Sequence, residues 1–447
     1  MNPLFLFLLL PLGAQATTVC DATEFGAKPD GITKNTVAIQ AAIDHCWTGG
    51  GGTVVLHGGV FLSGMIRLKS NITLQIDPGA TLKGTQDDAD YPDTHPQSDN
   101  SQLNNCRKTL VYAEKAHNVT IEGGGTIDGN GNKPEWIGPN TKTPERSRPM
   151  AIFLVQSQNV LLQNIHVRDA GAWGVVNFEN DDVTIRGLDI HTDLFGNRDG
   201  IDVVDCHRVL IENNTIFSED DSICLKSGTA RGVEDVMVRN NHVLQSTVAN
   251  GLKLGTASSG GFKNVTFENN DVKNVDKAVM TVEAIDGAKV ENITFKGITF
   301  SHSGTPFFVL LGRRKGGSKD GSNQPLPVGS IDGVHFENIQ GQAMKHVWGS
   351  AISGTVIDGV RYAPKNITFD HVNVTFQGDS QLKARPPSPP EYAGQYPDPN
   401  IWGDLPASGI YIRHVDGLSI QNSHFETAAA DARSTVVEVD LTHASEP

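Results

Sequence analysis

Asn159-Val-Leu-Leu-Gln-Asn-Ile165, Asp182-Val-Thr-Ile-Arg-Gly-Leu188, Arg208-Val-Leu-Ile-Glu-Asn-Asn214, Asp235-Val-Met-Val-Arg-Asn-Asn241, Asn264-Val-Thr-Phe-Glu-Asn-Asn270 and Asn292-Ile-Thr-Phe-Lys-Gly-Ile298 spell one pattern six times. Their first residues are 23, 26, 27, 29 and 28 positions apart. Related units begin at Asn71, Asn118, Asp332, Asn366 and Gly417, with longer insertions between them. Each unit is a short alternating strand, a polar turn rich in Asn and Gly, and another strand. Alternation at period two buries one face of each strand. A unit this small cannot bury its own core, so neighbours must cover one another. Stacked at this period, the units predict an all-β, single-stranded parallel β-helix with coils ~4.8 Å apart. A propeller would need blades of ~40–50 residues, longer than these units.

Working outward, both ends of the solenoid need covers. Asn35-Thr36 can start a helix running through Cys46, with Ile39, Ala42, Ile43 and Cys46 on one apolar stripe. This predicts an N-terminal capping helix. Gly49 to Gly52 then interrupts the chain before a strand at Thr53-Val-Val-Leu56. Near the other end, Pro386, Pro387, Pro389, Pro390, Pro397 and Pro399 predict a long irregular loop, after which a repeat-like unit resumes at Gly409-Ile-Tyr-Ile412. Residues 17–447 read as a single β-helix domain. Residues 1–16 read as a signal peptide: Leu4 to Leu12 is an apolar run, and Ala14-Gln15-Ala16 is a small-x-small cleavage pattern. A secreted or periplasmic protein is the expectation. Of five cysteines, Cys20 and Cys46 bracket the helix and are the best candidates for a disulfide.

The chain of 447 residues carries 36 basic and 51 acidic side chains, a formal charge of −15. Such a balance argues against a nucleic-acid partner, which requires a basic footprint. No later apolar run approaches the ~20 residues of a membrane span. No Cys-x-x-Cys or His-x-x-x-His clip suggests structural zinc, and no cofactor or metal is expected. A monomer is expected.

Aligning consecutive coils by their apolar strands matches Ile201-Asp-Val with Ile223-Cys-Leu and Leu252-Lys-Leu. The residues just before these strands then stack: Trp173, Asp199, Asp221 and Asn250, with Asp220 beside Asp221. Crowded carboxylates repel, so at least one should keep its proton to a higher pH than a free Asp. A protonated acid beside an ionised base is the pairing that glycoside hydrolysis requires. Each aspartate alone reads better as a turn residue, Asp199-Gly200 above all; three stacked on adjacent coils favour function. Oxygen-rich clusters also bind calcium, which keeps a metal-dependent lyase in view. The spacing permits inversion or retention of the anomeric centre.

At these residues the sequence resembles glycoside hydrolase family 28, the pectin-degrading polygalacturonase family. The carrying motifs are Asn197-Arg-Asp199-Gly200, the pair Asp220-Asp221, Phe25-Gly-Ala-Lys-Pro-Asp-Gly31, Gly123-Gly-Gly-Thr-Ile-Asp-Gly-Asn-Gly131 and Tyr396-Pro-Asp-Pro-Asn-Ile-Trp402 with its continuation to His414. The resemblance implies a right-handed β-helix and a secreted, metal-independent, inverting hydrolase of galacturonate-containing pectin. It implies that Asp220 is the general acid, that Asp199 and Asp221 position and activate water, and that Asn197 orients Asp199 or touches the sugar. The family's Gly-His-Gly falls on Ala249-Asn250-Gly251, and its Arg-Ile-Lys, which reads a galacturonate carboxylate, falls near Met280-Thr281-Val282. Lys253, Lys226 and Arg198 are candidate replacements for the missing cations, set against a reading as solvated surface charges. Trp173, Trp136 and Trp402 are candidate sugar platforms, Trp173 the best placed. The substrate is expected to be pectin, polygalacturonate or rhamnogalacturonan. A rhamnogalacturonan hydrolase, a calcium-dependent pectate lyase and a non-catalytic carbohydrate-binding solenoid are the alternatives.

Overall fold

The computed structural model describes residues 18–137, 147–194, 196–314 and 326–444; the expected signal peptide lies outside them. One sheet system joins 35 strands, and its ladders between coils are parallel. Three rows of strands run the length of the solenoid. One contains Val175–Phe178, Ile201–Val204, Ile223–Ser227, Leu252–Ser258, Ala278–Ala284 and Thr305–Leu311. The second begins with the repeat units themselves, as in His207–Glu212, Val233–Arg239 and Gly261–Glu268. The third holds Thr215–Ser218, His242–Ser246 and Asp271–Lys273.

The residue that opens most repeat units has a structural reason to be Asn or Asp, although Arg208 takes the same backbone, with φ of 56°. Asn71, Asn118, Asn159, Asp182, Asp235, Asn264 and Asn292 all take left-handed backbone, with φ of 61, 55, 54, 56, 58, 54 and 57°. Asn and Asp tolerate that region better than other side-chain-bearing residues. Their side chains also bond between coils: Asn118 donates to Asn71 at 2.8 Å, Asn264 to Asp235 at 3.0 Å and Asn292 to Asn264 at 2.9 Å. The Asn-Asn pairs that end three units divide the work. Asn213, Asn240 and Asn269 turn the chain through left-handed φ, while Asn214, Asn241 and Asn270 are buried. Asn214 donates to Asn241 and Asn241 to Asn270, both at 2.9 Å. These amides satisfy the polar groups that a turn leaves inside a dry core.

Inside, the alternating apolar residues form one continuous core. Phe267, Phe295, Phe336 and Phe369 stack coil on coil, with centroids 4.7, 5.4 and 4.9 Å apart. The first coil is covered by the helix Thr36–Thr48, whose Ile39, Ala42, Ile43 and Cys46 are buried as their spacing predicts. Asn35 precedes this helix but gives it no side-chain cap. Its amide instead donates to the carbonyls of Lys28 and Thr33, holding the entry turn. Cys20 and Cys46 form the expected disulfide, joining strand to helix. The proline-rich segment from 377 to 406 contains no strand, and the chain rejoins the sheet at Ala407–Gln421. That loop folds back over the outer face of the first row of strands, where the site lies.

Candidate active site

The register places the site. Ile201 pairs with Ile223 and Ile223 with Leu252, as the sequence alignment of coils expects. Because successive side chains point to opposite faces, the core residues Ile201, Val203, Ile223, Leu225, Leu252 and Leu254 leave Asp202, Cys224 and Lys253 in register on the outside. Just before these strands, backbone bonds stack the approach segments: Gly174 N–H donates to Asp199 O at 2.9 Å, Gly200 N–H to Asp221 O at 2.9 Å and Ser222 N–H to Asn250 O at 2.9 Å. One oxygen from each of Asp199, Asp220 and Asp221 lies within 4.8 Å of the others. The three aspartates therefore share one cleft. Asp220 and Asp221, with Asn250, Lys253, Lys277 and Tyr396, border a cavity of about 80 Å³.

Their surroundings differ, and so do their protonation states. Asp221 is buried, which favours its neutral form, but Lys253 and Lys226 and the amide of Asn250 overcome this and hold its carboxyl down to about 2. Lys253 Nζ lies 3.0 Å from one oxygen, and Asn250 donates twice to the other. Among the described residues no cation forms an ion pair with Asp220, and Lys253 only partly offsets its surroundings. Burial, then the negative charges of Asp199 and Asp221, push its pKa well above the ordinary value. Its main-chain carbonyl is fixed by the hydroxyls of Ser218 and Ser246, each at 2.8 Å. Asp199 is also pushed well up, by burial and by Asp202, although Lys226 Nζ lies 2.8 Å away. Lys226 bridges Asp199 and Asp202, so two buried carboxylates share one ammonium. Asp202 is raised to about 6 by burial against that ammonium. The cleft thus sets an ionised carboxylate, Asp221, beside a carboxyl that retains its proton, Asp220.

Other expected site residues fall into place differently. Lys226 and Lys253 are buried and ion-paired, so the solvated-surface reading of both is set aside. Arg198 turns away from the cleft, donating to the carbonyls of Gly131 and Trp136 at 2.8 and 3.3 Å. Trp173 stacks one coil before Asp199, but its ring packs in an apolar cluster and carries the Lys226 ammonium 4.4 Å from its centroid. It supports a charge more directly than it offers a bare face to sugar. Trp136 is fully buried, and Trp402 lies under the guanidinium of Arg413. Asn197 is exposed in left-handed backbone, with φ of 55°. Among the described residues its side chain makes no hydrogen bond to Asp199, which Lys226 holds instead.

Sequence reasoning assigned no role to Asp202, Tyr396 or Glu283. A signal existed for two of them: Asp202 and Glu283 are charged residues on outward positions of otherwise apolar strands. The placement of the absent Arg-Ile-Lys needs correcting for the same reason. Leu252 pairs with Met280 and Leu254 with Val282, and all four are core residues. The outward positions are Thr281 and Glu283. Tyr396 lay in the loop, where no periodicity exists to place it.

Known proteins resemble the chain in sequence and in fold. The profile of glycosyl hydrolases family 28 matches residues 51–388. The chain belongs to that family. Among curated relatives, an exo-poly-alpha-D-galacturonosidase of Dickeya chrysanthemi is 27% identical over 342 residues, covering 59% of this chain but only 56% of the relative's length. An endo-polygalacturonase of Pectobacterium carotovorum is 27% identical over 317 residues, covering 60% of this chain and 78% of the relative. Two solved family structures share the right-handed parallel β-helix. The exopolygalacturonase of Thermotoga maritima has a TM-score of 0.65 at 24% identity, covering 80% of this chain and 87% of its own. That of Yersinia enterocolitica has a TM-score of 0.66 at 19% identity, covering 96% and 79%. Among the described residues, no helix is long and apolar enough to cross a membrane.

Proposed function

We propose that this family 28 chain hydrolyses α-glycosidic bonds of galacturonate-containing pectin, with inversion, after export from the cell. The observation that carries the reading is the contrast between Asp220 and Asp221: adjacent in sequence, facing one cleft, one holding its proton and the other its charge. Asp220 protonates the leaving oxygen. Asp221, with Asp199, holds and activates the water that attacks the anomeric carbon. Asn250 and Lys253 keep Asp221 oriented and ionised. Lys226, resting on Trp173, keeps Asp199 in place, and Asn197 meets the sugar from the rim. The relatives that bear polygalacturonase names support the substrate class.

A rhamnogalacturonan hydrolase is the second reading, favoured by Thr281 and Glu283 standing where no cation can read a uronate. A calcium-dependent lyase fits the site less well. The acidic groups are close enough to share a cation, but Lys226 and Lys253 already supply positive charge to Asp199, Asp202 and Asp221. The deciding experiment incubates the purified protein with polygalacturonate and with rhamnogalacturonan, with and without chelator. New reducing ends without unsaturated uronates, undiminished by chelator, support hydrolysis. Unsaturated products that vanish with chelator would replace it with lyase chemistry, and binding without turnover would leave a carbohydrate-binding solenoid.

A further inference from the structure

The cations around the cleft are all engaged. Lys226 is held by Asp199 and Asp202, and Lys253 by Asp221. Lys277, on the cavity wall, pairs at 2.6 Å with Asp398 of the overlying loop. Arg314, one strand further on, forks onto Asp286 at 3.0 and 2.7 Å. Glu283 is the opposite case. It is 1% exposed, and neither carboxylate oxygen has a hydrogen-bond partner of ordinary geometry. Its carboxylate lies against Gly255, where a Cβ would come within 2.7 Å of Oε2, so the glycine makes the room it occupies. Burying an unsatisfied carboxyl is costly, and nothing in the packing of the strand Ala278–Ala284 requires one.

Above Glu283 lies Tyr396. Its hydroxyl meets Thr256 at 2.9 Å, while 57% of the residue remains exposed at the cavity mouth. The wall nearest the acid Asp220 thus combines an open aromatic face, two lysines already neutralised and a buried carboxyl behind them.

We propose that this wall, made by Tyr396, Lys253 and Lys277, receives an uncharged sugar residue next to the scissile bond, and that Glu283 bars a uronate from it. The inference rests on the hydrolase reading above and specifies its substrate. A uronate here would find no free cation among the described residues, and would bring a third negative charge towards Asp221 and Glu283 in a poorly screened site. A neutral pyranose needs only the ring face of Tyr396 and hydroxyl partners. Glu283 acts from behind the wall and is a specificity-determining residue, not a catalytic one. The groups facing it are Lys253 and Thr256 on the neighbouring strand, Arg314, and Tyr392 and Tyr396 of the loop, with Asp221 and Asp286 beyond. Burial raises its pKa to about 7, so the barrier is stronger above neutrality than below it.

The test compares kcat/KM of the full chain on trigalacturonate and on an oligosaccharide alternating galacturonate with rhamnose. The alternating substrate is expected to win by about tenfold or more. Glu283→Gln should narrow that ratio, and Asp398→Asn, which frees Lys277, should raise the rate on trigalacturonate several-fold. Equal or better turnover of trigalacturonate by the wild type overturns the proposal. So do ratios unmoved in both variants. If neither substrate is cleaved, calorimetric binding to the wild type separates the two readings. Tighter binding of the alternating oligosaccharide keeps this inference while hydrolysis fails; tighter or equal binding of trigalacturonate, or no binding of either, removes it.

Discussion

Asn250 donates twice to one oxygen of Asp221, through its main-chain N–H at 3.1 Å and its side-chain amide at 2.8 Å. The amide oxygen of Asn250 in turn accepts from Ala278 N–H at 3.1 Å and from the Thr281 hydroxyl at 3.4 Å. Asn250 is therefore fixed by the following coil before it fixes Asp221. Removing the amide in Asn250→Ala should leave the main-chain bond and lose the side-chain one. A hydrogen bond to a charged group is worth about 1.5–3 kcal/mol. The acid limb of the pH–rate profile, set by Asp221 at about 2, should move to higher pH, and kcat should fall by roughly tenfold to a hundredfold. A profile superimposable on that of the wild type would show that Asn250 does not govern Asp221.

Asp220→Asn removes the proton donor and keeps the shape. Turnover should drop by about 10²–10⁴-fold, the usual worth of a general acid, with a melting temperature at neutral pH no lower than the parent's, because the buried asparagine cannot ionise. The alkaline limb of the wild-type profile should belong to Asp220. Its pKa is raised, so activity persists above the range of a free Asp and declines as pH rises through the raised value. Rates within a factor of two for variant and parent would assign the acid elsewhere.

Much of this arrangement is legible in the sequence because a solenoid turns one-dimensional spacing into three-dimensional stacking. Asp199, Asp220, Asp221 and Asn250 are brought together by strands whose apolar alternation fixes the register to the residue. That same alternation carried information that motif matching missed. Met280 and Val282 cannot face the cleft because Leu252 and Leu254 beneath them face the core, so the charge that matters on that strand is Glu283. The proline-rich loop obeys no such rule. Its contributions, Tyr396 on Thr256 and Asp398 on Lys277, join residues 140 and 121 positions apart in sequence through contacts that no period announces. Lys226 and Lys253 were ambiguous for another reason: a lysine on an outward strand position looks the same in sequence whether it meets water or a buried carboxylate.

Lys226→Met should destabilise the protein more than it harms any single contact. It would leave Asp199 and Asp202 buried side by side with no counter-charge. Breaking a buried pair by removing one partner costs about 3–5 kcal/mol. The loss should be greatest at neutral pH and smaller in acid, where both carboxyls take up protons. Equal melting temperatures for variant and parent at neutral pH would mean that the pair is hydrated.

Glu283→Gln should do the reverse. The folded-state pKa of Glu283 is about 7 against an ordinary 4.5, so the folded protein binds the extra proton between those values. Stability then falls as pH rises from about 4.5 and levels off above about 7, because ionising a buried carboxyl works against folding. The glutamine cannot ionise. Its melting temperature should match that of the parent near pH 4 and exceed it by several degrees near pH 8. The comparison is made by calorimetry across that range on parent and variant together. A variant that melts lower than the parent at both ends would show that Glu283 is stabilised as an anion, held by Lys253 or Arg314, and that its unpartnered oxygens find donors when it ionises.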